Sequence, residues 1–184
     1  SNRRDEESRE LRGHEARVTA VVELGDHVLA SVSHDMTLRF WDLHTRHEMH
    51  CVHRAHDNPI HSVEHADMRE EVATAANDPV VKIWNAYKPF ALKGVLAGHA
   101  GDVTAVKWCE WRMFWITAAD DHTIRVWDPD LGETLRCLSI RGEAVTTMML
   151  DPLNQCLVAA MLDRKIRVFD VAQLEGLKDR FGVW

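Results

Sequence analysis

The sequence predicts an all-β fold made of four consecutive four-stranded antiparallel units. Three observations lead there. A hexapeptide that closes on an aromatic followed by Asp or Asn recurs four times: TLRFWD (37–42), VVKIWN (80–85), TIRVWD (123–128) and KIRVFD (165–170). Its aromatic positions, Trp41, Trp84, Trp127 and Phe169, stand 43, 43 and 42 residues apart, a spacing typical of repeat architectures. Between them lie short, alternating, β-branched runs bounded by turn residues, with no helical periodicity.

Each unit is read as four such runs. The first runs are 18–24, 60–65, 103–108 and 145–150. The second runs, HVLASVS, EVATAA, FWITAA and CLVAAM, are rich in small residues and suit strands where neighbouring sheets approach closely. The third runs carry the aromatic, and fourth runs follow in HEMHCVH, ALKGVLA and ETLRCLS. After Asp170 the chain reads VAQLEGLKDRFGVW, with no convincing outer strand, whereas ESRELR (7–12) stands where an outer strand would precede the first unit. The resulting division is one segment over 1–184, with repeats at about 11–52, 53–95, 96–138 and 139–171. A polar lead-in (1–10) and a tail (172–184) flank them.

Two more markers run in register with the aromatic. RGH (12–14), RAH (54–56), AGH (97–99) and a weaker IRG (140–142) precede the first strands. Asp35, Asp78, Asp121 and Asp163 each stand six residues before the aromatic. Together these marks, over about residues 11–171, resemble the WD-repeat family with its G-H and W-D signature. The resemblance implies a β-propeller of four four-stranded antiparallel blades, forming part of a seven- or eight-bladed ring. It also implies a hydrogen-bonded relay in each blade, because a buried Trp brings an indole N–H that must find an acceptor. Carried over by position, the relays are Trp41–Ser31–His14–Asp35, Trp84–Thr74–His56–Asp78 and Trp127–Thr117–His99–Asp121. In the fourth repeat Phe169 has no donor, Ala159 no hydroxyl, and Arg141 or Gly142 replaces the His; only Asp163 remains. A His–Ser–Asp set invites a hydrolase reading. Here it recurs at one structural position, and a nucleophile needs open access to substrate, so the relays are read as structural and no catalytic residue is expected.

Partner binding in such propellers uses the loops before the first strand and between the second and third. The matching positions are Arg17, His34, Met36, Asp57, Asn77, Asp102, Asp120, His122 and Arg164, which favour no single ligand class. Trp111 adds a tenth candidate, since a Trp in a turn can serve as a binding anchor, although folding back onto its blade is the favoured reading because Trp tends to be largely buried; Trp108 and Trp115 read as core. Phe181 and Trp184 raise the same question in the tail, with docking onto a missing neighbour as the expected answer. Five histidines recur every third residue, His44, His47, His50, His53 and His56. On a strand that spacing alternates faces, so no metal site is expected there, nor at His61 and His65, and no cofactor is expected.

Composition narrows the function classes. A hydrophobic fraction of 46% suits a packed globular chain. A net charge of −7 with interleaved signs argues against a nucleic-acid footprint. Cys51, Cys109, Cys137 and Cys156 form no C-x-x-C pair and are expected to be reduced and mostly buried in an intracellular protein. No apolar run is long enough for a membrane span and no signal-peptide pattern opens the sequence. The expected setting is cytoplasmic, with the nucleus or ciliary structures as further settings. The expected role is a non-catalytic protein–protein scaffold or adaptor in a larger assembly. Its blades would be met by further blades of a longer protein, a second copy or another subunit. The alternative is a substrate-recognition propeller of a regulatory complex such as a ubiquitin ligase.

Overall fold

Four sheets stand side by side in chain order in the computed structural model, which describes residues 10–175. The first blade contains β1 (Val18–Gly25), β2 (Val28–Ser33), β3 (Leu38–Asp42) and β4 (His47–Val52). The second contains β5 (Ile60–Ala66), β6 (Glu71–Ala76), β7 (Val80–Asn85) and β8 (Leu92–Ala97), with a one-turn 3-10 helix at Asp67–Arg69. The third contains β9 (Val103–Cys109), β10 (Phe114–Ala119), β11 (Thr123–Trp127) and β12 (Thr134–Ser139). The fourth has three strands among the described residues: β13 (Val145–Asp151), β14 (Cys156–Met161) and β15 (Ile166–Asp170). Every sheet is an antiparallel meander in sequence order. The first strands β1, β5, β9 and β13 pack against one another in turn, which sets the blades radially around a common side.

Two-residue periodicity sends alternate side chains of each strand to opposite faces, and each face meets a different neighbour. We call the face toward the following blade the back and the other the front. Ala30, Val32, Leu38 and Phe40 on the back of blade 1 meet Ile60, Val63, Val72 and Trp84 on the front of blade 2. Ala73, Ala75, Val81 and Ile83 meet Val103, Val106, Trp115 and Trp127 in the same way. Ile116, Ala118, Ile124 and Val126 meet Val145, Met148, Leu157 and Ala159. Each buried Val, Leu or Ile contributes about 1.5–3 kcal/mol relative to exposure, so the joins between blades hold most of the apolar stabilisation. The second-strand alanines Ala30, Ala73, Ala75 and Ala118 are fully buried in these joins.

The turn after each third strand reaches back onto the preceding blade. Tyr87 donates to the carbonyl of Leu24, and Phe90 lies 4.5 Å from Phe40, tying blade 2 to blade 1. Arg69 of blade 2 donates to Asp130 of blade 3 at 2.8 Å. In blade 4 this place is taken by α1 (Val171–Glu175), whose start is capped by Asp170 accepting from the Ala172 N–H at 2.8 Å. α1 packs against β12 and β15 and buries Val171 and Leu174 in the cluster between blades 3 and 4. The absence of an outer-strand pattern after Asp170 therefore has a helical counterpart.

Two expectations need correction. Glu10–Arg12, the described part of the 7–12 segment, lies in no strand, and its rest lies outside the described residues, as do Phe181 and Trp184. Of the cysteines, only Cys109 is buried; Cys51 and Cys156 are half-buried and Cys137 is exposed. Cys137 sits on the outer strand β12, where one face of the sheet looks outward.

Candidate interaction surface

The three relays close at hydrogen-bond distance. In blade 1 the Trp41 indole donates to Ser31 Oγ at 2.7 Å, Ser31 Oγ lies 2.7 Å from His14 Nε2, and His14 Nδ1 lies 2.9 Å from Asp35 Oδ2. In blade 2 the same steps run Trp84–Thr74, Thr74–His56 and His56–Asp78, each at 2.8 Å. In blade 3 they run Trp127–Thr117 at 2.7 Å, Thr117–His99 at 2.6 Å and His99–Asp121 at 2.9 Å. An indole N–H can only donate, so the hydroxyl accepts it and passes its own proton to Nε2, leaving Nδ1–H to donate to the carboxylate. The relay thus fixes a neutral histidine tautomer.

Electrostatics agree with that assignment. Burial pushes His56 and His99 below the ordinary 6.5, against the opposing pull of Asp78 and Asp121. For Asp35, burial alone would raise the pKa, but bonds from Thr37, the Glu15 N–H and His14 outweigh it and hold the carboxyl far below 3.8. Asp121 is lowered to about 2 in the same way, against burial, by Ala100 N–H, Thr123 and His99. The extra hydroxyls of Thr37 and Thr123, each 2.7 Å from its Asp, are members the sequence reading missed. They stand two residues after the aspartate, where blade 2 has Val80.

The aspartate has a second task. Asp35, Asp78, Asp121 and Asp163 each accept the backbone N–H two residues on, from Thr37, Val80, Thr123 and Lys165, at 2.9–3.2 Å. This Asx turn makes the corner between the second and third strands. Asp163 retains it although its blade has no relay, and it also binds Arg167 at 3.3 Å.

A second missed pattern links the residue before the histidine to the third strand. A Cβ on Gly13 would come within 2.5 Å of Arg39 Nη1 and 2.9 Å of the Trp41 ring, and one on Gly98 within 3.0 Å of Arg125 Nη1. In blade 2, Ala55 occupies the glycine's place and the third-strand residue is Lys82, a thinner side chain whose ammonium donates to the Ala55 carbonyl at 2.7 Å. Gly13 with Arg39, Gly98 with Arg125 and Ala55 with Lys82 are matched pairs.

The loop candidates gather at the relay end of the blades. His34 N–H donates to Arg17 C=O at 3.0 Å and Asp120 N–H to Asp102 C=O at 2.9 Å; Asn77 N–H closes equivalently on Pro59 at 3.2 Å. Arg17, His34, Asp57, Asn77, Asp102, Asp120, His122 and Arg164 are exposed, while Met36 is half-buried. Met36, His122 and Arg164 share one turn position with φ of 66°, 60° and 66°. A cleft of about 500 Å³ takes in two of the loop candidates, Asn77 and Asp120, with His61, Thr104 and Lys107 also in its wall. Trp111 departs from the set. It lies at the opposite end of blade 3, half-buried against the core that α1 covers, so it belongs to the packing of blades 3 and 4. Of the histidine ladder, His56 is in its relay, His50 stacks on Phe90 at 5.1 Å, and His44, His47 and His53 are exposed. Among the described residues no group of three or more His, Cys, Asp or Glu is placed to hold a metal ion, and no helix is long and apolar enough to cross a membrane.

The family model described as WD domain, G-beta repeat matches residues 5–42, 49–85 and 90–128. The chain belongs to the WD-repeat family. The three matched stretches contain the three complete relays, and the unmatched fourth WD repeat is the one without Trp, hydroxyl and His. Two solved structures share its fold, "Crystal structure of RRP9 WD40 repeats" and "Structure of U3-55K". Each has a TM-score of 0.82 and 20% identity over 90% of this chain. The matched region makes up 51% and 52% of those chains, so this WD-repeat segment spans about half their length. No curated protein sequence matches at a significant level. WD-repeat propellers in general mediate protein–protein interactions and are generally non-catalytic.

Proposed function

We propose that this WD-repeat segment is an intracellular, non-catalytic scaffold that docks other proteins through the loops at the relay end of its blades. The observation that carries the reading is the closure of the relays. Ser31, Thr74 and Thr117 are buried, and each already accepts from a Trp and donates to a His. The residues that resemble a hydrolytic triad have no proton or lone pair aimed at a substrate. What they do instead is hold the loop end rigid, and loops on a rigid scaffold are where binding residues concentrate. Arg17, Asp57, Asp102, Asp120, His122 and Arg164 mix both signs, which suits a polar protein surface better than a polyanion.

The cleft beside His61, Asn77 and Asp120 favours a second reading, recognition of a short peptide from a substrate, as a ligase-type regulatory complex would require. The two separate in one experiment. Partners cross-linked to the wild-type chain in cell extract are compared with those of Asp102→Arg/Asp120→Arg and of Leu131→Glu, on the outer side. A scaffold loses a stable, stoichiometric partner only in the first variant; a recognition module instead binds a short peptide isolated from its targets. Partners unaffected by the loop variant would remove both readings.

A further inference from the structure

The joins between blades share a plan near the turn after each third strand, and the middle join lacks one part of it. At the first join Phe90, on the turn of blade 2, is buried against blade 1. It lies 4.5 Å from Phe40 on β3 and stacks at 5.1 Å on His50, the cross-strand partner of Phe40 on β4. At the third join α1 takes that place, burying Val171 and Leu174 in the cluster that holds Val126 and packing against β12. Backbone hydrogen bonds align the turns of blades 2 and 3. Asn85 N–H donates to Ala91 C=O at 3.0 Å and Asp128 N–H to Glu133 C=O at 2.9 Å, so Gly132 stands where blade 2 has Phe90. Both are left-handed, with φ of 55° at Phe90 and 68° at Gly132. Strand register puts Ile83 where blade 1 has Phe40, and Gly94 where it has His50. Three rings are thus exchanged for Gly, Ile and Gly. A cleft of about 300 Å³ opens at this spot, with Ile83, Gly94 and Gly132 in its wall. Nothing lies within 4 Å of a Cβ placed on Gly94, and one on Gly132 would meet Val95 and Leu96, also in the wall, at 3.5 and 3.9 Å.

We propose that this cleft is a socket for one aromatic side chain of a partner protein, seated between blades 2 and 3 where Phe90 is seated between blades 1 and 2. The occupant follows from the joins themselves. At the other two joins the equivalent place is filled by protein side chains, an aromatic in one and aliphatics in the other, and the space left here is the space of missing rings. Its floor is apolar: Ile83 and Leu96 are buried beneath it. Its mouth carries no spare charge. Arg69 donates to Glu71 at 2.9 Å and to Asp130 at 2.8 Å, and Lys93 donates to Glu71 at 2.5 Å. Two cations thus face two carboxylates, which favours a neutral occupant over an anion. Leu131 and Val95 beside the mouth are 72% and 41% exposed, and a docked segment covers them around the inserted ring, as a buried anchor within an apolar surround. The turn holding Gly132 follows the end of β11, whereas the relay corner precedes its start. The socket is therefore at the opposite end of the blades from the loops discussed above and forms a second, separate docking point.

Amide-shift titration of the isotope-labelled chain tests it, with the blocked tripeptides Gly-Phe-Gly and Gly-Ala-Gly as probes. The Phe probe is expected to give saturable shifts at Gly94, Val95 and Gly132. It should bind at least about tenfold tighter than the Ala probe, the factor that burial of a Phe ring supplies. Gly132→Phe puts the chain's own ring into the socket, on a backbone conformation that Phe90 already adopts, and loses the response. Gly94→His, set in a strand with free space for its Cβ, loses it as well and decides the matter should the first variant not fold. Asp102→Arg/Asp120→Arg keeps the response, so the socket and the loop-end reading stand or fall separately. No saturable response, equal binding of the two probes, shifts away from the socket, or a response that survives both filled variants overturns the proposal. A response seen only in Phe181→Ala/Trp184→Ala overturns it too, since the socket would then belong to the chain's own tail.

Discussion

Each relay is a unit whose members are useful only together, and blade 4 offers a way to measure that. Phe169→Trp alone introduces a part-buried N–H opposite Ala159, which offers no hydroxyl, and is expected to cost roughly 1–3 kcal/mol. Adding Ala159→Thr supplies the acceptor and returns part of the loss; a chemical-denaturation cycle over the four proteins would show a favourable coupling. Strict additivity would mean that the indole donor does not matter to this blade. The relays also make stability depend on pH. His56 and His99 are held neutral, with pKa values below the 6.5 of an unfolded chain. As pH falls below 6.5 the unfolded state takes up protons that the folded state refuses, so stability declines. Asp35 and Asp121 act in the same direction at lower pH, their contribution present above 3.8 and lost as pH drops toward the depressed folded values. The melting temperature is therefore expected to be lower near pH 5 than near pH 7.5; a flat profile over that interval would contradict neutral, buried imidazoles.

At the scale of strands and turns, the most consequential contact is the one made by Arg69. It donates to the fully buried Glu71 at 2.9 and 3.1 Å and to Asp130 of the next blade at 2.8 Å, while Lys93 meets Glu71 at 2.5 Å. Arg69→Ala removes one of two counter-ions from a buried carboxylate and the link to blade 3 together, and is expected to cost about 3–5 kcal/mol in urea unfolding. Asp130→Ala, which removes only an exposed partner, should cost under about 1 kcal/mol; equal losses would show that the buried pair is not the source. Such elements mark the limit of what the sequence conveys. Strand positions and relays were legible because identical letters recur at one spacing, and chemistry plus period suffices to read them. Arg69–Asp130 and Tyr87–Leu24 join residues 61 and 63 apart through different side chains each time, so no period reveals them. α1 was hidden because five residues carry no measurable helical pattern, and Trp111 was ambiguous because its burial depends on that helix. The exposure of Cys137 turned on which face of an outer strand it occupies.

The molecule as a whole is a row of like units, each stabilised by its neighbours, so stability is expected to vary along the row. Blades 2 and 3 are covered on both faces; among the described residues Val18 and Val21 are exposed on the front of blade 1, and Ile166 and Val168 on the back of blade 4. Hydrogen exchange in dilute solution should show the strongest protection in β6 and β10 and the weakest in β15. Uniform protection would mean that end blades do not depend on a neighbour. The direction of the turn contacts adds a temporal side. In every case the later blade supplies the reaching group: Tyr87 to Leu24, Asp130 to Arg69, Leu174 to the cluster at Trp111. During synthesis, therefore, a blade leaving the ribosome is consolidated only when the third strand of the next has followed it. The nascent chain always carries one unsecured blade, the most recent, and a pause in translation between blades is the moment at which that exposed sheet is available to a chaperone or to a wrong partner.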